Sequence, residues 1–485
     1  MDLLDERFVQ RIIADIESSQ NRQRRRAELK SFEVYAGDLV THVQLRLKEL
    51  YPKTHNSFSI ADLNLSKKIN DKLSKAYKSS PYRELSTDNE TNIYQDFLKD
   101  ADSKKAWQTY DLYYNLHRSA CMWFNYVPSG EDETRVVLRP LAPFQYSRVV
   151  DKLGDTKVFI VNFPSDDLFD TTDSDGINAS IQDSMQDTYE KRYALWSDSQ
   201  HVVVRCVVEK DGVRISYEPI EGNEEFINPL GVIPAVFSQQ GDNAALPIIN
   251  PITNQTIEYN SQYSSLLTGS NLQTFGHLIL SHPEDQKMPD EIYNSLFTYS
   301  RLPQVQDAPE TKLDYLNPNP NLDSQLKVIE NYALQIIAEH LGDGAQTVGG
   351  NEKFTSGLDR IIAMSDINNK IEANQEIYSK AEQDLYDIAV AFFESMNVFI
   401  LKPQELVVKY NKSRPVQSEE EILANIQKKV DLGLIERYEA LMLLDPNLTV
   451  EKAKEKIEAV KQERMDNINS FMGSSNANNT EENQL

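Results

Sequence analysis

Two stretches of helical periodicity bracket a segment punctuated by proline, and that arrangement limits the architectures open to this chain. The first stretch runs from Ile248 to Leu267, where Pro251 is tolerable because it falls in the first turn. The second starts at Asp323, a residue suited to capping. It directs Leu326, Ile329, Ala333, Ile336 and Ile337 inward and stops near Leu341 and Gly342. Between them, Ser270 to Leu322 carries Pro283, Pro289, Pro303, Pro309, Pro318 and Pro320. Helices of about 20 residues are about 30 Å long. The pattern therefore predicts an antiparallel helix pair with a compact module at its tip.

N-terminal to this pair the sequence reads as helix, then strand. Leu3, Leu4, Phe8, Val9, Ile12, Ile13 and Ile16 recur at helical spacing, with Arg24, Arg25 and Arg26 on a polar continuation. A second helical run from Ser59 carries Leu63, Leu65, Ile69, Leu73 and Tyr77 and stops before Pro81. A third spans Thr91 to Trp123, and its end, Cys121 to Tyr126, has the apolar density of buried strand. Strands are predicted at Arg135–Arg139, Lys157–Val161, His201–Val208 and Val213–Tyr217, with Asp211-Gly212 as a hairpin turn between the last two. Pro164 to Glu190 holds eight carboxylates and no Lys or Arg, which predicts an exposed excursion. Beyond the pair lie a glycine-rich loop from Asp343 to Phe354 and a helix from Leu358 to Met396 with no internal Pro or Gly. A short strand at Leu406 to Tyr410 follows, then charged helices over Glu419 to Ala440 and Thr449 to Met465, broken at Gly433 and Pro446. Asn467 to Leu485 has a disordered composition. The fold class expected is α+β.

At 485 residues the chain has room for two to four domains. No apolar run is long enough to span a bilayer and no signal peptide is read, so a soluble intracellular product is expected. The two cysteines, Cys121 and Cys206, make no disulfide framework. A net charge of -25 opposes tight, surface-wide DNA binding, which works by neutralising phosphates with Lys and Arg.

Catalytic patterns are tested and fall short. Gly344 to Gly349 has the glycine spacing of a phosphate loop, but Gly350 and Asn351 stand where Lys and Ser or Thr are needed. Asp170 to Gly176 weakly resembles a calcium loop, yet Thr171 and Gln182 occupy positions that require carboxylates. The seven histidines include no pair on one helix turn; His277 and His282 are five apart. No Gly-x-Ser-x-Gly elbow occurs. Hence no catalytic residue, metal or cofactor is expected, and the chain is read as not an enzyme. The best basic patch is Arg22, Arg24, Arg25 and Arg26, read first as a solvated helix face that pairs with the acidic surface of a neighbouring subunit and second as a nucleic-acid contact.

In order along the chain, several segments resemble the portal proteins of tailed bacteriophages. They are Ser66–Tyr77 with Lys78-Ser-Ser-Pro81, Leu138–Val150, Asn228–Val236, Thr355-Ser356-Gly357, and the set Ser418–Glu421, Asp431–Glu436, Leu444–Pro446 and Glu451–Glu463. The acidic insert 164–190 departs from that pattern. The resemblance implies a closed ring of about twelve subunits, in which heterologous contacts leave no free edge. It implies a wing over 1–247, stem helices at 248–269 and 323–342 and a clip at 270–322. It also implies a tunnel loop at 343–355, a long wing helix and strand over 356–412, a helical crown at 413–466 and a tail at 467–485. In such a ring at one capsid vertex of the virion, assembled in the host cytoplasm, Gly344, Gln346, Thr347, Asn351 and Lys353 would face passing double-stranded DNA. Glu284, Asp285, Lys287, Asp290, Glu291 and Arg301 of the clip would dock the terminase large subunit during packaging and later the neck proteins, with capsid and scaffolding proteins as further partners. No membrane partner is implied. Another head-tail adaptor or a minor capsid protein is the alternative, and a DNA-handling enzyme is the second rival.

Overall fold

Strands whose side chains are apolar on both faces must be covered on both faces, and that requirement organises the N-terminal half of the molecule. The structure, a computed structural model, describes residues 2–128, 134–163, 189–209, 212–218, 225–241, 249–275, 277–282, 299–303, 312–316, 322–342, 357–410, 419–433, 435–444, 454 and 456–458. These residues are mixed α and β and fall into two units, Met1–Asn351 with Ala363–Lys412, and Glu352–Ile362 with Ser413–Leu485.

In the first unit five antiparallel strands form a sheet in sequence order: β4 (Tyr146–Val150), β5 (Thr156–Phe163), β6 (Tyr189–Trp196), β7 (His201–Glu209) and β8 (Gly212–Glu218). On one face Val158, Ile160, Tyr193, Leu195, Val202 and Val204 meet Val9, Ile12, Ile13 and Ile16 of helix α1 (Glu6–Ile16). On the other face Phe159, Val161, Ala194, Trp196 and Val203 meet a second sheet. That sheet is made of β2 (Ser119–Pro128), flanked by β3 (Thr134–Leu141) and β9 (Ala235–Gln239). Strand β2 is itself covered twice. Cys121 and Trp123 point to the five-stranded sheet, while Ala120, Met122 and Phe124 point to the helices. The unbroken apolar runs at Cys121–Phe124 and Val202–Val204 thus follow from strand alternation between two buried faces.

The helical layer comprises α5 (Asp88–Asp100), α6 (Ser103–His117) and α9 (Gly357–Ser395), which share one core with β2 and β3. Strand β1 (Tyr82–Glu84) pairs antiparallel with β13 (Val407–Lys409). Arg83 of β1 holds Glu382 of α9 through two bonds, Nε at 2.8 Å and Nη2 at 2.6 Å, with both side chains buried.

Several helical readings are corrected in detail. The N-terminal run does not continue through the arginines. It ends at Ile16, and Ser18 caps a separate helix α2 (Ser19–Ala36), accepting from the Asn21 amide. The run expected from Ser59 is extended up to Asn64, which caps the short α4 (Leu65–Leu73). The single helix expected over Thr91 to Trp123 is two helices and a strand. Asp102 adopts a left-handed φ of 48° between α5 and α6, Arg118 does so at 58°, and β2 starts at Ser119. Leu39–Leu50 forms helix α3, where the sequence reading assigns no element. Of the acidic excursion, 164–188 lies outside the described residues, whereas Tyr189 and Glu190 open β6. In the second unit α10 (Glu419–Asp431) and α11 (Arg437–Leu444) are separated at Gly433, whose φ is +69°. Of the helix expected at 449–465, residues 454 and 456–458 are described and are helical; the tail 467–485 lies outside.

Buried polar groups tie these layers together. Asp111 of α6 accepts from the Ala76 amide at 2.9 Å, the Tyr378 hydroxyl of α9 at 2.8 Å and the Asn115 side chain at 2.8 Å. Burial pushes its carboxyl up to about 7 from an ordinary 3.8, and those donors offset part of the rise. A carboxyl raised in the folded state binds its proton there before it does in the unfolded chain. Its contribution to stability is therefore largest near pH 4, falls as pH climbs toward 7, and levels off above. Asp111→Asn is expected to remove this fall, so that the difference in unfolding free energy between wild type and variant changes between pH 4 and 7. Denaturant unfolding across that range checks it, and a difference independent of pH would contradict it.

Candidate functional site

Helix α7 (Ile252–Phe275) and helix α8 (Leu322–Leu341) enclose the segment expected to be a tip module. Asn250 opens α7 by accepting from the Ile252 amide at 3.2 Å, and the Pro251 carbonyl takes the Gln255 amide at 3.0 Å, so Pro251 stands just ahead of the first turn. The helix runs eight residues past Leu267 and through Gly269, so Ser270 to Phe275 are helical and not part of a separate module.

The two helices are antiparallel. At one end Gln255 donates to Glu339 at 2.8 Å and shares a 2.9 Å hydrogen bond with His340. At the other, a methyl built on Gly269 would sit 3.8 Å from Leu322 Cδ2. Tyr259 and Leu266 of α7 and Ile329 and Ile336 of α8 belong to one core. Burial holds the His340 imidazole down to about 4, so it is neutral at pH 7. Gly342, at φ 91°, ends α8, and Lys370 Nζ of α9 reaches the Glu339 and His340 carbonyls at 3.1 and 2.9 Å, where a cation suits the helix C-terminus. Helix α8 starts at Leu322, so Asp323 lies within the first turn and is not the cap. Leu326, expected inward, is exposed.

Three strands join the far ends of the pair. β10 (His277–His282) lies between β11 (Tyr299–Pro303), parallel to it, and β12 (Lys312–Leu316), antiparallel. Only residue 276 separates α7 from β10, and residues 317–321 separate β12 from α8. Such short connections keep the sheet at the end of the helix pair.

What holds α7 in place is a polar stripe. Asn260, Ser264 and Thr268 accept the backbone amides of Leu63, Ala61 and Ser59 at 2.8, 2.8 and 3.0 Å. Four helical residues advance about 6 Å and two extended residues about 6.6 Å, so a side chain every fourth position meets every second amide. Asn260 also donates to the Leu63 carbonyl at 2.9 Å, and Asn271 to Ser59 Oγ at 2.9 Å. The hydroxyls are satisfied twice over: Ser264 donates to the Asn260 carbonyl at 2.7 Å and Thr268 to that of Ser264 at 2.8 Å. Sequence reasoning missed this ladder, although its signal stands in the Asn, Ser and Thr residues at spacing four.

The residues expected to act are placed as follows. Gly344, Gln346, Thr347, Asn351 and Lys353 lie outside the described residues, as do Glu284, Asp285, Lys287, Asp290 and Glu291; Arg301 stands on β11 opposite Leu280. The glycine loop and the calcium-like run are outside too. The arginines of α2 are not one solvated face. Arg25 turns back to Glu17 at 2.6 Å and the Ile16 carbonyl at 2.8 Å, and buried Glu17 also accepts from Lys191 and Tyr193 of β6. Arg24 is half-buried, and Arg22 and Arg26 are engaged as well. Among the described residues no three His, Cys, Asp or Glu side chains gather as a metal set, and no helix is long and apolar enough to cross a membrane. No protein-family model matches the chain, and no curated protein matches it.

Replacing Asn260 with Ala leaves the Leu63 amide without its acceptor and takes one of two donors from the Leu63 carbonyl, which keeps the Leu65 amide. The expected loss is about 1–3 kcal/mol of unfolding free energy, the cost of unpaired buried polar groups. Urea unfolding of N260A measures it, and a midpoint equal to wild type would show that the ladder contributes nothing.

Proposed function

We propose that the chain is a ring subunit of the portal type, a structural and not a catalytic protein, through which DNA is packaged and ejected at one capsid vertex. The observation that carries this reading is the antiparallel pair Ile252–Phe275 and Leu322–Leu341 with a three-stranded sheet at its end. Subunits of that outline, set side by side, line a channel with their helices and present their sheets together as one docking collar. In this reading the helix pair is the stem, the sheet is the clip that meets the packaging motor and then the neck proteins, and the helices of 413–466 are the crown.

Two further features support it. Helix α8 leaves Val328 63 % exposed and Leu334 44 % exposed, apolar surface that a neighbouring subunit would cover. The net charge of -25 also suits a conduit, since an acidic wall repels phosphates and lets a duplex slide where a basic one would grip it.

Negative-stain imaging with mass measurement of the purified protein tests the proposal. The expected result is a ring of about twelve copies around an open centre, closed by heterologous contacts. Val328→Glu is expected to block closure while the monomer stays folded, because the side chain is exposed. A compact oligomer with no channel would overturn the reading.

A further inference from the structure

The ladder on α7 uses only one edge of the extended segment it holds. The amides of Ser59, Ala61 and Leu63 point to the helix, so those of Ile60 and Asp62 point away, and among the described residues neither has an acceptor. Beside this free edge runs a groove of about 290 Å³. Gln44, Leu45 and Lys48 on the outer face of α3 form one wall, and His55, Phe58 and Ile60 form the other. The inner face of α3, with Leu39, Val43 and Leu47, packs with Val34 and Ile257, and Phe58 and Ile60 pack against the same cluster. Both walls are anchored. Arg46 pairs with Glu258 of α7 at 3.0 Å, and Phe58 stacks on Tyr51 with ring centroids 4.8 Å apart.

The groove is lined mostly by polar residues, with Leu45, Phe58 and Ile60 as its apolar part, Lys48 as a cation and the backbone of Ile60 at its rim. Leu45 is 53 % exposed. Lys48 and Lys53 are exposed and have no acidic partner among the described residues, although the chain as a whole carries 75 acidic residues against 50 basic ones. Arg46 beside them is already matched by Glu49 and Glu258. We infer that this groove binds an extended, acidic segment of a partner protein, which adds as a strand to residues 60–62 and seats a bulky apolar side chain over Leu45. Backbone pairing to the Ile60 and Asp62 amides supplies the register. Alternate side chains of the incoming strand then enter the groove or face solvent. Its carboxylates lie toward Lys48, which lines the groove. The inference does not depend on the portal reading, since it concerns α3 and residues 55–62 and not the three-stranded sheet.

The full-length protein is titrated, by fluorescence anisotropy, into three labelled hexapeptide series that alternate Leu or Phe with Glu, Lys or Ser. The Glu series is expected to bind at least tenfold more tightly than the Lys series. Leu45→Glu and Lys48→Glu, both at exposed positions, are expected to weaken it at least tenfold with an unchanged circular dichroism spectrum. N-methylation of alternate peptide amides is expected to abolish binding, because it removes the strand pairing while keeping charge and side chains. Equal binding of the Glu and Lys series, insensitivity to L45E, tolerance of N-methylation, or no binding of any series at millimolar concentration would each overturn the proposal. So would self-association lost in L45E without peptide binding, which would make a second copy of the chain the occupant.

Discussion

A helix carrying one charged side chain, Glu258, in 24 residues and rich in Ser, Thr and Asn packs against α2, α3, α4 and α8, and its polar stripe decides what can pack around it. Asn260, Ser264 and Thr268 are short enough to let an extended segment approach closely, and each returns a hydrogen bond for an amide taken out of water. Apolar residues there would exclude the segment 59–63, because its amides would be buried without acceptors. The remaining faces of the same helix meet α3 through Ile257 and α8 through the Gln255–His340 end. The antiparallel pair, the sheet at its tip and the groove beside α3 therefore share one support.

Buried charge performs a related task elsewhere. Glu17 joins α2 to the five-stranded sheet through Arg25 and Lys191, and Glu382 joins the long helix to β1 through Arg83. A buried carboxylate stripped of its partner costs about 3–5 kcal/mol, so such pairs discriminate sharply against other arrangements of the same elements. These ionisable groups sit at joints between layers.

Much of the architecture was legible. Strands covered on both faces announce themselves as unbroken apolar runs, as at β5 and β7, whereas β8 stands where apolar residues alternate with the exposed Arg214 and Ser216. The long helix was legible because 39 residues without Pro or Gly leave no place to stop, and the observed helix is Gly357–Ser395. Breaks were harder. Ile16 and Ser19 belong to different helices because Ser18 caps a new turn, and Asp102 interrupts a continuous apolar period by one left-handed residue. Helix α3 was missed because its apolar residues serve two faces, the α7 contact and the open groove, which blurs a single stripe. Gly269, a breaker by composition, is instead where Leu322 of the opposite helix comes close. The ladder was invisible to a search for apolar period, since its code is polar and its partner is backbone.

The most direct test of the ladder is amide hydrogen exchange at single-residue resolution across residues 59–63 of the full-length protein. Pairing to α7 requires an alternation, with the amides of Ser59, Ala61 and Leu63 protected and those of Ile60 and Asp62 exchanging fast. Uniformly fast exchange through the segment would contradict it, and with it the claim that the polar stripe of helix 252–275 is what the surrounding structure is built on.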